Sequence, residues 1–191
     1  MDTTDRRIHK SKNALKAALL SLMQHKEFKR ITITEIVALA DLNRGTFYKH
    51  YQYKEDLLND VIDDVISDLI ASYRAPYENN QHFFQEKLSA SAVKIFDHVA
   101  EYSSFYTIIV NSEALPGFQN KICDVLKDLA INDIFLDRSD LDIDRGLSAS
   151  YHAYSLLGMI VEWVKGGFKH TSHYMAEQLI KIVSINTFTN K

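Results

Sequence analysis

The side chains with the clearest chemical potential lie in residues 31–51, which read ITITEIVALADLNRGTFYKHY. Near the end of this segment Arg44 could donate two hydrogen bonds to guanine O6 and N7, and the Thr46 methyl group could contact the thymine methyl group. Tyr48 and Lys49 could bind phosphate oxygens, which sets the register of a protein on a duplex without reading its sequence. The chemistry that these residue types predict is recognition of double-stranded DNA.

A short helix is predicted at the start of this segment. Thr32 and Glu35 have the spacing of a capping box, in which each side chain bonds the backbone amide of the other residue. Ile31 and Ile36 stand where a hydrophobic staple would fix the entry of the chain into the helix. We expect this helix to run through Ala40.

A tight turn and a second short helix are predicted to follow. Asp41 is one of the few non-glycine residue types that tolerate a left-handed turn conformation. Asn43 is a favourable N-cap for a helix over residues 44–51, with Phe47 and Tyr51 packed inward. Two short helices joined by a three-residue turn form a helix-turn-helix, in which the second helix enters the major groove of DNA.

The predicted DNA contacts lie at the starts of the two helices, on the outer face of the second, and just beyond it. Gly45 is included because a residue without a side chain lets the helix approach the duplex closely. The full set is Thr32, Thr34, Asn43, Arg44, Gly45, Thr46, Tyr48, Lys49, His50 and Lys54. The alternative interpretation is a pair of core helices that binds no ligand.

Charge is distributed unevenly along the chain. The net charge of −3 by itself argues against a nucleic-acid partner, but residues 6–54 hold 11 basic and three acidic residues, a net of +8. Residues 61–191 carry a net charge of −6. Such asymmetry indicates a nucleic-acid or anionic-membrane surface at one end of the molecule, although a solvated basic helix face would show the same count.

Length and composition restrict the class of protein. The chain has 191 residues, of which 46% are hydrophobic and 25% charged, so we expect a globular protein with one or two domains. No apolar run approaches the roughly 20 residues of a membrane span, and the first residues lack the apolar core of a secretory signal. The single cysteine, Cys123, fits a reducing compartment, so a cytoplasmic protein is predicted.

Hydrophobic spacing is helical along the whole chain, and the predicted fold class is all-α. A long helix is predicted over 54–72, ending before Pro76, and Gly166 and Gly167 are predicted to end a later helix. The other predicted helices span 8–25, 81–101, 103–111, 117–135, 144–165 and 173–188. The predicted domains are 1–53, followed by the connecting helix 54–72, and 73–191.

Residues 8–62, above all GTFYKHYQYKEDLL, resemble the DNA-binding domain of the TetR-type bacterial transcriptional regulators. The shared motif is a threonine before the second helix, Gly-Thr-aromatic-Tyr, a further aromatic residue, and Lys-Glu-x-Leu. Its counterparts here are Thr32, 45–48, Tyr51 and 54–57. This chain has Asp41 where the family often has glycine. It also has Tyr53 where the family often has a small capping residue, which leaves the next helix without an expected side-chain cap.

The resemblance implies a nine-helix homodimer that binds a palindromic operator. It supports DNA contacts by Thr46, Tyr48 and Lys54, and it implies a C-terminal domain that binds a small-molecule or protein effector. Apart from the resemblance, no nucleophile elbow, phosphate-binding glycine loop or paired catalytic motif is present, so no enzymatic activity is predicted. The C-terminal residues 158–163 are in addition similar to a subgroup that includes regulators of dihydroxyacetone kinase operons.

Aromatic residues in the C-terminal part suggest an effector pocket, with core packing as the alternative. The predicted lining is Phe96, His98, Tyr102, Phe105, Tyr106, Tyr151 and Tyr154. The last two long helices carry an apolar face that could be core or a dimer interface, and the family resemblance favours the interface. Its predicted residues are Ser155, Gly158, Met159, Trp163, Met175, Leu179 and Ile182.

Three other patterns contain residue types that could bind a metal ion or react. The spacing Asp140-x-Asp142-x-Asp144 begins like a calcium loop, but Arg145 stands in place of the required glycine. His170 and His173 have metal-like spacing without a third ligand, and Cys123 in an apolar helix is expected to be inert. We therefore predict no metal site and no cofactor.

The predicted function is a sequence-specific DNA-binding transcriptional regulator whose operator affinity responds to an effector. A repressor is the expected direction of control, although no residue distinguishes repression from activation. The first alternative is a helical protein–protein interaction module without specific DNA binding. The second is a small all-α enzyme, for which no catalytic motif is present.

Overall fold

The computed structural model describes residues 3–75, 94–111, 118–134 and 143–188, and these residues form helices and no strand. The predicted all-α class is confirmed. The helices are α1 (Thr3–Met23), α2 (Ile33–Leu39), α3 (Arg44–Tyr48), α4 (Lys54–Arg74), α5 (94–101), α6 (Ser103–Asn111), α7 (Phe118–Leu129), α8 (Arg145–Lys165) and α9 (Ser172–Phe188). A 3-10 turn at Phe28–Arg30 precedes α2, and a π-helical turn at Ala130–Ile134 follows α7.

The chain divides into two compact units, and the division falls inside α4 between Val65 and Ile66. The predicted long helix over 54–72 is confirmed, and it ends at Arg74, before Pro76. The predicted helices over 8–25, 103–111, 144–165 and 173–188 correspond to α1, α6, α8 and α9. Of the predicted helix 81–101, residues 81–93 lie outside the described part of the chain, as does Pro76.

Each helix of the first unit contributes at least one fully buried apolar side chain to its core. These include Leu15 and Leu19 of α1, Ile36 of α2, Phe47 of α3 and Leu57 of α4, all with 0% exposure. Burial of side chains of this size is worth about 1.5–3 kcal/mol each. The very short α3 is therefore anchored by Phe47 rather than by its own helical hydrogen bonds.

Aromatic packing dominates the second unit. Phe105 of α6 meets Phe118 of α7 edge-on, with ring centroids 5.2 Å apart, and Phe96 of α5 meets Trp163 of α8 at 5.6 Å. The indole Nε1 of Trp163 donates to the His170 carbonyl at 3.0 Å. This bond satisfies the one polar group of a side chain that is otherwise buried among carbon atoms.

The end of α8 follows the predicted glycine pattern with one addition. Gly166 is the C-cap, and Gly167 takes the left-handed conformation with φ of 70°. Phe168 also has a positive φ, 56°, which is rare for a residue with a large side chain. Its ring lies 5.0 Å from that of Trp163, so this packing holds the unusual backbone conformation in place.

The sequence predicted neither a membrane-spanning helix nor a metal site. No helix among the described residues is long and apolar enough to cross a membrane. Across the same part of the chain, no group of three or more His, Cys, Asp or Glu side chains could hold a metal ion. Asp140 and Asp142 lie outside the described residues, and Asp144 instead caps α8 by accepting from the Leu147 amide at 2.8 Å.

Candidate nucleic-acid interface

The start of α2 forms the predicted capping box. The Thr32 hydroxyl accepts from the Glu35 amide at 3.3 Å, and the Glu35 carboxylate accepts from the Thr32 amide at 2.9 Å. Lys26 donates to the other carboxylate oxygen of Glu35 at 2.7 Å. The hydrogen bonds from Lys26 and Thr32 lower the pKa of Glu35 to about 2. Thr32 and the neighbouring Thr34 are both exposed, so the helix start presents two threonines to solvent.

The turn between the two short helices also follows the prediction. Asp41 adopts the left-handed conformation with φ of 54°. Asn43 caps α3, because its side-chain oxygen accepts from the Thr46 amide at 2.8 Å and from the Thr46 hydroxyl at 3.1 Å. The helix is shorter than the predicted 44–51, since regular structure ends at Tyr48 and a tight turn follows. Asn43 and Thr46 therefore hold each other at the start of α3.

The outer face of α3 presents a prearranged pair of polar side chains. Arg44 donates to the Tyr48 hydroxyl at 3.2 Å, and its guanidinium carbon lies 5.9 Å from the centroid of the Tyr48 ring. Both side chains are exposed, as are Gly45 and Lys49, whereas Phe47 on the inner face is buried. A guanidinium held beside an aromatic ring loses less conformational freedom when it meets a base edge than a free one would.

His50 links the end of the α3 segment to α1. Its Nε2 lies 2.8 Å from the hydroxyl of Ser11, and its ring is half-buried. Burial lowers the pKa of His50, and the nearby positive charges of Lys12 and Lys49 lower it further. The bond to Ser11 holds the ring against α1, and a DNA contact by His50 stays a prediction.

Lys54, at the start of α4, points its ammonium group at backbone oxygens. The Nζ atom donates to the carbonyls of Phe28 at 2.8 Å, Lys29 at 3.1 Å and Ile31 at 2.8 Å, and it lies 4.7 Å from the Phe28 ring centroid. An ammonium group has three protons, so these carbonyls occupy its donor capacity. Its predicted phosphate contact therefore requires the loss of at least one of these bonds.

The start of α4 has a side-chain cap that sequence reasoning missed. The Asp56 carboxylate accepts from the amides of Gln52 at 3.0 Å and Tyr53 at 2.8 Å. Tyr53 cannot cap the helix with its own side chain, but an acidic residue three positions later can bond the same amide, as in half of a capping box. The expectation of an uncapped helix start was wrong for this reason.

A second group of contacts that sequence reasoning missed joins three parts of the first unit, and we call it the Asp60 hub. Oδ2 of Asp60 accepts from the Tyr51 hydroxyl at 2.6 Å, from Lys12 at 2.8 Å and from Lys16 at 3.1 Å. Lys16 also pairs with Asp64 at 2.5 Å. Burial alone would raise the pKa of Asp60, but the hydrogen bonds from Lys12, Tyr51 and Lys16 lower it to about 2.

The signal for this hub was present in the sequence as two pairs of charges. Lys12 and Lys16 are four residues apart on α1, and Asp60 and Asp64 are four residues apart on α4. Residues at this spacing share one face of a helix, so two such pairs of opposite sign can meet when the helices pack together. Some of the positive charges of residues 6–54 are thus paired with carboxylates inside the first unit.

Two family models match the chain. One, described as bacterial regulatory proteins of the tetR family, matches residues 14–61. The other, described as a transcriptional regulator C-terminal region, matches residues 86–184, which is more than half of the chain. The chain belongs to the TetR family. The resemblance that the sequence indicated is confirmed, and the match over 14–61 includes all of α2 and α3.

One curated relative of this TetR-family chain is also described as a transcriptional regulator. The chain is 24% identical over 187 residues to the uncharacterized HTH-type transcriptional regulator YxbF of Bacillus subtilis strain 168. The match covers 96% of the chain and 47% of YxbF, so the chain spans about half the length of that curated relative.

Two solved structures show the same fold. A putative TetR-family regulator from Syntrophomonas wolfei has a TM-score of 0.75 at 18% identity, with 90% of this chain and 92% of that chain covered. The dihydroxyacetone kinase operon activator DhaS has a TM-score of 0.66 at 17% identity, with 92% and 95% covered. At these identities the likeness establishes the fold alone, and the predicted subgroup stays a prediction.

The predicted effector residues of this TetR-family chain fall into two groups. Phe96, His98, Phe105 and Tyr106 are buried, and the Tyr102 ring is tilted against that of His98 with the centroids 4.8 Å apart. Tyr151 and Tyr154 are instead exposed on α8 and do not join the buried residues. Exposure therefore separates these two tyrosines from the other residues of the predicted lining, and an effector pocket stays a prediction.

His98 is the centre of a buried network that we call the His98 network. Its Nδ1 lies 2.7 Å from the Asp68 carboxylate of α4, and its Nε2 lies 3.0 Å from the Tyr106 hydroxyl. Burial lowers the pKa of His98 by more than the Asp68 carboxylate raises it. The ring is therefore neutral, donates to Asp68 and accepts from Tyr106. Asp68 had not been singled out in the sequence.

The predicted interface residues also separate by exposure. Ser155, Gly158 and Ile182 are exposed, and Met159 is half-buried. The other three, Trp163, Met175 and Leu179, are buried inside their own chain. These three side chains pack inside their own chain, and their place in a dimer interface stays a prediction.

Proposed function

We propose that this TetR-family chain is a cytoplasmic, sequence-specific DNA-binding repressor that acts as a homodimer on a palindromic operator. The observation that carries the proposal is the outer face of α3, where Arg44 and Tyr48 form an exposed, prearranged pair while Phe47 anchors the helix. An exposed arginine on the second helix of a helix-turn-helix is positioned to read guanine in the major groove. Lys49 beside it suits a phosphate.

Dimer formation is supported by the apolar side chains that α8 and α9 expose. Leu147, Tyr151 and Tyr154 on α8 are 72%, 59% and 61% exposed, and Ile182 on α9 is 49% exposed. Exposed large apolar side chains mark surfaces that a partner can cover. A two-fold dimer would place two copies of α3 one turn of DNA apart, about 34–36 Å, as a palindromic operator requires.

Effector control is proposed through the second unit. Asp68 of α4 is bonded to His98, which lies among buried aromatic residues of α5 and α6. A small molecule or protein that changed the packing around His98 would act on α4 at this bond. Such an effector shifts operator affinity by as much as it prefers one arrangement of α4 over the other.

The experiment that tests the proposal is selection of genomic DNA fragments by the purified full-length chain, followed by fluorescence anisotropy. We expect one enriched palindromic sequence, bound about 10³-fold or more tightly than a scrambled duplex of equal length. Its affinity should fall steeply between about 50 and 200 mM salt. No enrichment, together with equal affinity for both duplexes at low salt, would favour the protein–protein interaction module instead.

Gly158 offers a direct test of the proposed dimer. A Cβ built at Gly158 would meet no atom within 4 Å among the described residues outside its own stretch of helix, so Gly158→Arg should fold. The helix itself should gain up to about 1 kcal/mol, because glycine is a poor helix former. We expect sedimentation velocity to show a monomer for this variant and a dimer for both wild type and Gly158→Ala. A dimeric Gly158→Arg protein would place the interface elsewhere.

A further inference from the structure

The recognition helix is too short to set its own direction. The α3 helix has five residues, and isolated helices below about 12–15 residues are marginal in water. At its start, the Asn43 cap bonds Thr46, a residue of the same segment. Contacts with other helices must therefore determine where the outer face of α3 points.

Polar contacts to other helices gather at the far end of the α3 segment. The Tyr51 ring packs 5.7 Å from the buried Phe47 ring, and its hydroxyl donates to Asp60 of α4 at 2.6 Å. Lys12 of α1 reaches the same carboxylate oxygen and lies 5.6 Å from the centroid of the Tyr51 ring. One carboxylate thus fixes the end of the α3 segment against both α1 and α4.

We propose that Asp60 is a positioning residue for DNA recognition: its carboxylate, bonded to Tyr51, Lys12 and Lys16, sets the angle at which α3 presents Arg44. This inference rests on the proposed function. The hydrophobic effect that buries an aromatic ring is non-directional, whereas a charge-assisted hydrogen bond fixes the distance and angle between its partners. The hub therefore contributes alignment that the packing of Phe47 and Tyr51 alone does not supply.

Three single variants test this role. Tyr51→Phe removes the hydroxyl while keeping the ring in the core, and Asp60→Asn removes the charge while keeping the shape. Asp64→Asn is the matched control, because it makes the same change of charge one turn further along α4 and also removes a partner of Lys16. The Tyr51 hydroxyl bonds Asp60 rather than Asp64, so a purely electrostatic effect on DNA would be equal in the two aspartate variants.

The measurement is the ratio of affinities for the genomically selected duplex and its scrambled counterpart, each corrected for the active fraction by stoichiometric titration. We expect Tyr51→Phe and Asp60→Asn to lower this ratio about fivefold or more, as when one base contact is misaligned. The slope of log affinity against log salt should stay unchanged, because the phosphate contacts remain. Asp64→Asn should stay within about twofold of wild type.

The outcomes separate the inference from the proposed function. If wild type selects no sequence, the proposed function fails and the ratio has no meaning. If wild type is selective and the folded Tyr51→Phe and Asp60→Asn proteins keep its ratio, the positioning role is overturned. Equal loss of affinity for both duplexes, or an equal effect of Asp64→Asn, would also overturn it, since either result indicates general stability or charge.

Discussion

The Asp60 hub and the His98 network hold successive parts of α4 in opposite ways. Asp60, in the first unit, is ionised, its side chain is 25% exposed, and one oxygen accepts from two lysines and a tyrosine. His98, in the second unit, is 2% exposed and neutral, and it has one partner on each ring nitrogen. The first cluster joins the charges of Asp60, Lys12 and Lys16, whereas the second joins the Asp68 carboxylate, 43% exposed, to a buried imidazole and a buried tyrosine.

This difference decides what each cluster can contribute. Ion pairs near water add little to stability, because solvent screens them and long side chains lose entropy. Removing one member of a buried network is costly, because its partner is left without a hydrogen bond and without water. We therefore expect the His98 network to act mainly on folding stability, and the Asp60 hub mainly on the direction of α3.

The largest expected effect on stability is that of His98→Leu. This change leaves the buried Tyr106 hydroxyl without its partner, at a cost of about 1–3 kcal/mol in the free energy of unfolding measured with urea. Adding Tyr106→Phe should recover part of the loss, because it removes the unsatisfied hydroxyl. If the double variant lost as much as the sum of the two single variants, the network would not be a coupled unit.

The pH dependence of stability gives the second test. Folding lowers the pKa of His98, so the unfolded chain binds a proton at this histidine more readily than the folded chain does. The contribution of neutral His98 to the free energy of unfolding is therefore complete above the ordinary pKa of 6.5. It is lost as the pH falls below that value. We expect wild type to lose more stability than His98→Gln between about pH 7.5 and pH 5.5. The other histidines are common to both proteins, so equal pH dependence would contradict a neutral, buried His98.

The smallest effect is expected at the hub. Asp60→Asn should cost less than about 1 kcal/mol near neutral pH, since the ion pairs that it breaks are partly exposed. The pKa of Asp60 is lowered to about 2, so the carboxylate stabilises the fold above its ordinary pKa of 3.8 and loses this effect as pH falls towards 2. The difference between wild type and Asp60→Asn should shrink over that range. A cost near that of His98→Leu would remove the contrast between the clusters.

Local spacing predicted the recognition segment well, because its bonds join residues three positions apart. The Thr32–Glu35 box, the left-handed Asp41 and the Asn43 cap all follow from short-range geometry. The Asp56 cap is equally local, but it was missed because only the residue before α4 was considered as a cap. The length of α3 was overestimated, since an apolar spacing that includes Tyr51 fits a tight turn as well as a helix.

Residue spacing along the chain could not predict contacts between residues that are far apart in the sequence. His98 bonds Asp68 across 30 residues, and Lys16 bonds Asp64 across 48, so each pair depends on how helices pack. Apolar periodicity also cannot distinguish a helix face that packs inside the chain from one that a second chain covers. Trp163 and Met175 were assigned to the interface for this reason, whereas Tyr151, assigned to a pocket, lies on the exposed face.

The outer face of α3 is proposed to read DNA sequence, and the claim is tested by replacing Arg44. The measurement is the affinity of Arg44→Ala and of Lys49→Ala for the selected duplex, for its single-base variants and for the scrambled duplex. Arg44→Ala should cost about 1–3 kcal/mol on the selected duplex and erase discrimination at one base pair, while Lys49→Ala weakens all duplexes alike and reduces the salt slope by about 1. Equal loss on every duplex for Arg44→Ala would contradict the claim.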